Sequence, residues 1–165
     1  MKTQLEIAIQ LRKEHRAEEA LEVLKELLED APNNPQVLYQ AAWTCDTLGW
    51  EAEAVPYYEK ALKAGLMGWD KKGAYLGLGS TYRCLGEYEK SDQILTRAVE
   101  EFPGDKALQV FHAMTLYNLG ESKQSVQNLL KIMVESTSDE RIQSYAKAIE
   151  LYAEDLDKTW KPSSS

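Results

Sequence analysis

Three glycines set the strongest constraint on this chain. Gly49, Gly86 and Gly120 each follow a leucine at the end of a helical stretch and lead into an acidic residue, at spacings of 37 and 34 residues. Helical patterning resumes after the first two turns, through Tyr57-Tyr58-Glu59-Lys60-Ala61-Leu62 and Ile94-Leu95-Thr96-Arg97-Ala98-Val99. Pro32 and Pro103 stand 71 residues apart, where second helices would end. Glycine suits the left-handed residue that ends a helix, and proline cannot continue a helix interior. Helix, glycine turn, helix, proline, repeated every 34 residues or so, is a hairpin that cannot bury its own apolar face. Stacked neighbours must share a core.

Four copies of the pattern can be laid over one another. Their eighth positions are Ala8, Ala42, Gly79 and Ala113, and their twentieth are Ala20, Ala54, Ser91 and Ser125. Small residues at both places are what two closely approaching helices require. The third copy is the fullest, with Tyr75-x2-Leu78-Gly79-x2-Tyr82, then Ser91-x3-Leu95, Ala98 and Pro103. Period and residue pattern resemble the tetratricopeptide repeat. The fold expected is all-α: a right-handed superhelix of about four helix-turn-helix repeats, near 1–34, 35–71, 72–105 and 106–139, closed by a capping helix near 139–158. Residues 1–160 would form a single domain and 161–165 a disordered tail.

Departures from the period carry further expectations. The stretch Lys63–Lys71 is three residues too long and holds two glycines, so it reads as a loop, with Asp70 able to cap the next helix. Leu66, Met67 and Trp69 are expected to pack beneath it, with an exposed contact patch as the alternative. Pro56 is tolerated only in a first turn, which puts the start of its helix close by. From Asp139 to Lys158 a single helix is expected, with Ile142, Tyr145, Ala146, Ile149, Tyr152 and Ala153 at helical spacing, an N-cap at Thr137, Ser138 or Asp139, and a polar outer face.

Composition narrows the function classes. The formal charge of −8 disfavours nucleic acid and anionic membranes as partners. No run approaches the roughly 18 apolar residues of a membrane span. Two cysteines without metal or redox spacing fit a reducing cytoplasm, and Met1–Ala8 lacks the apolar run of a signal peptide. Catalytic signatures for phosphate loops, dinucleotide binding or a serine elbow are missing. His112 takes the place of Ile7, Ala41 and Leu78 and is expected in the core. His15 replaces the turn glycine of the first copy, and neither histidine has a carboxylate pair placed to work with it. Cys45 falls on a core position. Glu154-Asp155-x-Asp157 lacks the glycine of a calcium loop and reads as a solvated face. The expectation is therefore no catalytic residue, no metal and no cofactor.

The tetratricopeptide resemblance implies a concave groove lined by first helices, at repeat positions 2, 5, 6, 9, 12 and 13. On this chain the candidate partner-binding residues are Tyr39, Gln40, Trp43, Asp46, Leu76, Ser80, Arg83, Val110, Phe111, Met114 and Tyr117. The set is apolar and aromatic. Only Arg83 and Asn118 stand near its centre as polar groups of the kind that clamp a peptide's terminal carboxylate, so that mode is not expected. A target peptide, the capping helix or a second copy of the chain could each cover such a surface. The run Leu48–Glu59 and the run Gly77–Arg83 also resemble a family of small tetratricopeptide-repeat proteins of bacilli and related bacteria. That likeness implies a cytoplasmic module, suggests a homodimer and brings no ligand. The function expected is a protein-protein interaction module that also self-associates. An enzyme or small-ligand receptor using the same groove is the alternative.

Overall fold

A computed structural model describes residues 1–161, so most of the expected tail, 162–165, lies outside the described residues. Ten helices and no strand occur among them. Four hairpins come first: α1 (Gln4–Lys13) with α2 (Ala17–Asp30), α3 (Pro35–Thr47) with α4 (Glu51–Lys63), α5 (Gly68–Cys84) with α6 (Tyr88–Glu101), and α7 (Lys106–Asn118) with α8 (Ser122–Ser136). Two short helices follow, α9 (Glu140–Ser144) and α10 (Ala146–Glu154). The first helices pack on one another in series, α1 on α3, α3 on α5 and α5 on α7, while successive second helices make no comparable approach. That asymmetry curves the stack with the first helices on its inner side, as in a helical-repeat superhelix.

The turn residues behave as the period requires. Gly49, Gly86 and Gly120 have φ of 74°, 77° and 84°, and His15 stands in for the missing glycine at φ 63°. The small positions are all buried, and two of them do more than save space. Ser91 Oγ donates to the Gly79 carbonyl at 2.7 Å, and Ser125 Oγ to the Ala113 carbonyl at 2.6 Å. In these copies the twentieth residue therefore ties the second helix to the eighth position of the first. The main core runs from Ala8 through Leu21, Leu24, Leu38, Cys45, Tyr58 and Leu78 to Tyr82, and a smaller one gathers Tyr75, Leu95, Ala98 and Leu108.

Several local expectations are corrected. Helix α4 begins at Glu51, so Pro56 lies inside it; the ring deprives only the carbonyl of exposed Ala52, one turn earlier, which solvent can satisfy. The long linker is a loop only over residues 64–67. Helix α5 starts at Gly68, Asp70 sits in its first turn, and the residue before the helix, Met67, makes no side-chain cap. Leu66 does pack inward, but Met67 and Trp69 stand 80% and 82% exposed. The single terminal helix is broken at Tyr145 and stops at Glu154, with Asp139 as its N-cap, accepting from the Ile142 amide at 3.0 Å. Its exposed side is mixed: Glu140, Arg141, Lys147, Glu150 and Glu154 are exposed as the capping role requires, but so are Tyr145, Leu151 and Tyr152 and, just beyond the helix, Leu156.

Candidate functional site

The inner side of the stack holds a cavity of about 600 Å³ between α3, α5 and α7. Its shape follows from two glycines in α5. A Cβ on Gly73 would stand 2.0 Å from the Tyr39 hydroxyl, and one on Gly77 would stand 2.4 Å from the Tyr58 ring. Removing those two side chains lets both tyrosines lie against the α5 backbone and opens space above them. Tyr39 packs 5.9 Å from Trp43 and 6.4 Å from Tyr58, ring centre to ring centre. Leu76, Leu108 and Phe111 continue the apolar lining toward α7.

A small polar network fixes the floor. Tyr58 donates to Asp46 Oδ2 at 2.6 Å, and Thr81 Oγ1 lies 3.0 Å from Asp46 Oδ1 and 2.7 Å from the Gly77 carbonyl, one proton serving both. Burial raises the Asp46 carboxyl above its ordinary range, and the Tyr58 and Thr81 hydroxyls oppose that rise. Burial and the bond to Asp46 push the Tyr58 phenol up, keeping it a donor. Behind Trp43 lies Arg12, buried, with its guanidinium 4.1 Å from the indole ring and bonded to Thr44 Oγ1 at 3.2 Å. Burial lowers the Arg12 pKa. At the other rim Lys72 sits 4.5 Å from the exposed Trp69 ring and 3.9 Å from Asp105. Each of these two indoles thus has a cation over its ring, and both stay partly exposed, Trp43 at 46% and Trp69 at 82%.

Of the eleven candidate residues, Tyr39, Trp43, Asp46, Leu76, Ser80 and Phe111 line this cavity. The other five do not. Gln40 lends its carbonyl to Arg12, and its buried Oε1 has no partner among the described residues. Arg83 donates to Asn118 Oδ1 at 2.7 Å. Val110 and Met114 are half-buried elsewhere, and Tyr117 is exposed. Tyr58, Trp69, Lys72 and Asp105 belong to the cavity without having been expected there. Trp69 and Lys72 arrive because α5 starts a turn early. Tyr58 reaches across from a second helix, and Gly73 and Gly77 opposite a tyrosine-rich hairpin were the available signal. The terminal helices do not cover this surface, since α10 packs on α8 and α9.

Cys45 is fully buried, and burial lifts its thiol to about 11, far from a reactive thiolate. His112 is not in the apolar core and does have a carboxylate partner: its Nε2 lies 2.7 Å from Asp92 Oδ1 and 3.3 Å from Thr96 Oγ1. The face it shares with α6 offers it the polar groups of Asp92 and Thr96. Both partners reach the same ring nitrogen, so the trio forms no relay from acid through imidazole to hydroxyl. Among the described residues no helix is long and apolar enough to cross a membrane.

A profile of the tetratricopeptide repeat matches residues 35–156. The chain belongs to the tetratricopeptide-repeat family. Solved structures agree on the fold. YrrB, described as a tetratricopeptide protein with an unusual peptide-binding site, superposes with a TM-score of 0.72 at 22% identity, over 92% of this chain and 77% of that one. MamA from Desulfovibrio magneticus RS-1 gives 0.70 at 19% identity, over 95% and 89%. A thermophilic tetratricopeptide protein of Thermus thermophilus gives 0.64 at 22%, over 93% and 83%. In sequence, Superkiller protein 3 of Saccharomyces cerevisiae is 26% identical over 93 residues, which is 56% of this chain but 6% of that relative.

Proposed function

We propose that this tetratricopeptide-repeat protein is a binding module rather than an enzyme, and that it takes a peptide segment of a partner protein in its inner cavity. The observation that carries the reading is the preformed apolar cavity with Trp43 half exposed at its edge. A cavity of this size admits one or two large side chains, and aromatic anchors in such pockets dominate interface energetics. Its charged groups are already paired or bonded within the chain, which suits an uncharged anchor. The peptide-binding site named for YrrB supports the same class of ligand. The working compartment proposed is the cytoplasm, where the exposed Cys84 thiol would stay reduced.

The test is a peptide selected from a displayed library, titrated against the protein and against Trp43→Ala combined with Phe111→Ala. At unchanged helicity the double variant should bind at least tenfold more weakly; equal binding removes the cavity from the interface.

Self-association is the second reading, and one observation favours it. Seven large apolar side chains, Val126, Leu129, Met133, Tyr145, Leu151, Tyr152 and Leu156, lie exposed at the C-terminal end of the stack. A second copy meeting that end across a two-fold axis would cover apolar surface with apolar surface. Light scattering over a concentration series should show mass rising above 18.7 kDa. A strictly monomeric mass at high concentration contradicts it.

A further inference from the structure

The outer side of the stack carries a second cavity, of about 440 Å³, in the furrow between α4 and α6 with α5 as its floor. Three helix faces build it. From α5 come Lys71, Tyr75, Leu78 and Tyr82, spaced so that all four side chains share one stripe. From α6 come Lys90, Gln93, Ile94 and Arg97, at i, i+3, i+4 and i+7. Helix α4 adds Glu59, Leu62 and Lys63. The floor is therefore apolar and aromatic, while the rim carries four cations and one carboxylate in a chain of net charge −8.

The carboxylates near this rim are already engaged. Glu59 accepts from the Tyr82 hydroxyl. Glu101 accepts from the Tyr75 hydroxyl at 2.8 Å and from Lys71 at 2.5 Å. Lys90 has an exposed pairing with Glu87 at 3.5 Å. Lys63 and Arg97 have no carboxylate within 4 Å among the described residues, and both are exposed at the mouth. The furrow is also particular to this pair of repeats. One repeat further on, Tyr75, Leu78 and Tyr82 are replaced by Gln109, His112 and Leu116, and the corresponding cavity has no aromatic lining beyond the His112 ring.

We infer that this outer furrow is a second binding site, for an acidic peptide segment that places an apolar side chain on Leu62, Tyr75 and Ile94 and carboxylates on Lys63 and Arg97. The apolar floor asks for a side chain, and the two unpaired cations ask for anions on either side of it. Local charge opposite to that of the whole molecule makes the approach selective, because an acidic ligand is repelled elsewhere and attracted here. The cavity is separate from the inner one and does not depend on it.

The experiment is fluorescence anisotropy with a fluorescein-labelled peptide, Asp-Glu-Leu-Phe-Glu-Asp-Gly, at 50 mM and 200 mM salt. Controls are the same peptide with Leu and Phe replaced by Ser, and a single-stranded oligonucleotide. The protein should bind the first peptide at least tenfold more tightly than either control and lose at least tenfold on raising the salt. Lys63→Glu with Arg97→Glu, both at exposed positions and with folding checked by circular dichroism, should abolish the difference. Trp43→Ala should leave it unchanged. Absence of measurable binding, equal binding of the serine peptide or the oligonucleotide, indifference to the charge reversal, or loss in Trp43→Ala would each overturn the assignment.

Discussion

The inner cavity and the C-terminal end both present large apolar side chains to solvent, yet they differ in what lies beneath them. Under the cavity the chain is packed through: Ala42, Leu38, Ala74 and Leu78 are buried, and glycine, tyrosine and aspartate interlock with fixed partners. At the C-terminal end α9 buries no residue and α10 buries only Ala153. The same kinds of side chain therefore mean different things. Over a rigid floor they form a pocket of defined shape. Over a thin support they lie exposed with no comparable shape.

That contrast can be broken, most strongly through the core. Leu78→Ala should cost about 2–5 kcal/mol of unfolding free energy, read from urea midpoints, because its neighbours in three helices cannot close the gap. A loss below about 1 kcal/mol would mean that the centre is as loose as the end. Ser91→Ala is next. It strips a donor from the Gly79 carbonyl and a partner from Thr115, whose Oγ1 is 2.8 Å away, and leaving buried polar groups unsatisfied costs about 1–3 kcal/mol. A near-neutral result would show that water replaces the hydroxyl.

A smaller effect, of known sign, comes from Asp46. Burial raises its pKa, so the folded chain holds that proton at pH values where the unfolded chain has released it. Its contribution to stability is complete below the ordinary carboxylate range and is lost as pH rises through the raised value. Asp46→Asn cannot ionise, so it should gain on the parent protein as pH climbs through that window. Thermal melts at stepped pH with a constant difference between the two proteins would contradict the burial of the charge. Smallest of all, Leu151→Ala should change stability by no more than about 0.5 kcal/mol, since the side chain is half exposed. A core-sized loss there would show that α10 is integral to the fold.

Much of this is written in the sequence, for a physical reason. Repeat periodicity makes one helix hairpin testify for the next, so the turn at His15 and the burial of Ser91 can be read from equivalent positions in other copies. Pro56 and the start of α5 mislead, because local rules weigh single residues while packing decides the helices around them. The cavity is half legible. Repeat positions on the first helices identify Tyr39, Trp43, Leu76 and Phe111. Tyr58 and Trp69 escape because one enters from a second helix and the other from an added turn. No periodicity marks either case. The apolar end escapes for a further reason: amphipathic spacing in α9 and α10 shows two sides but cannot say which of them meets α8.

The most direct measurement is amide hydrogen exchange of the intact protein with and without a library-selected peptide. If the inner cavity is the peptide site, protection should rise in 39–47, 69–80 and 105–111, the segments that build it, and stay unchanged in α9 and α10. Protection confined to the C-terminal helices, or spread evenly with none at the cavity, would contradict it.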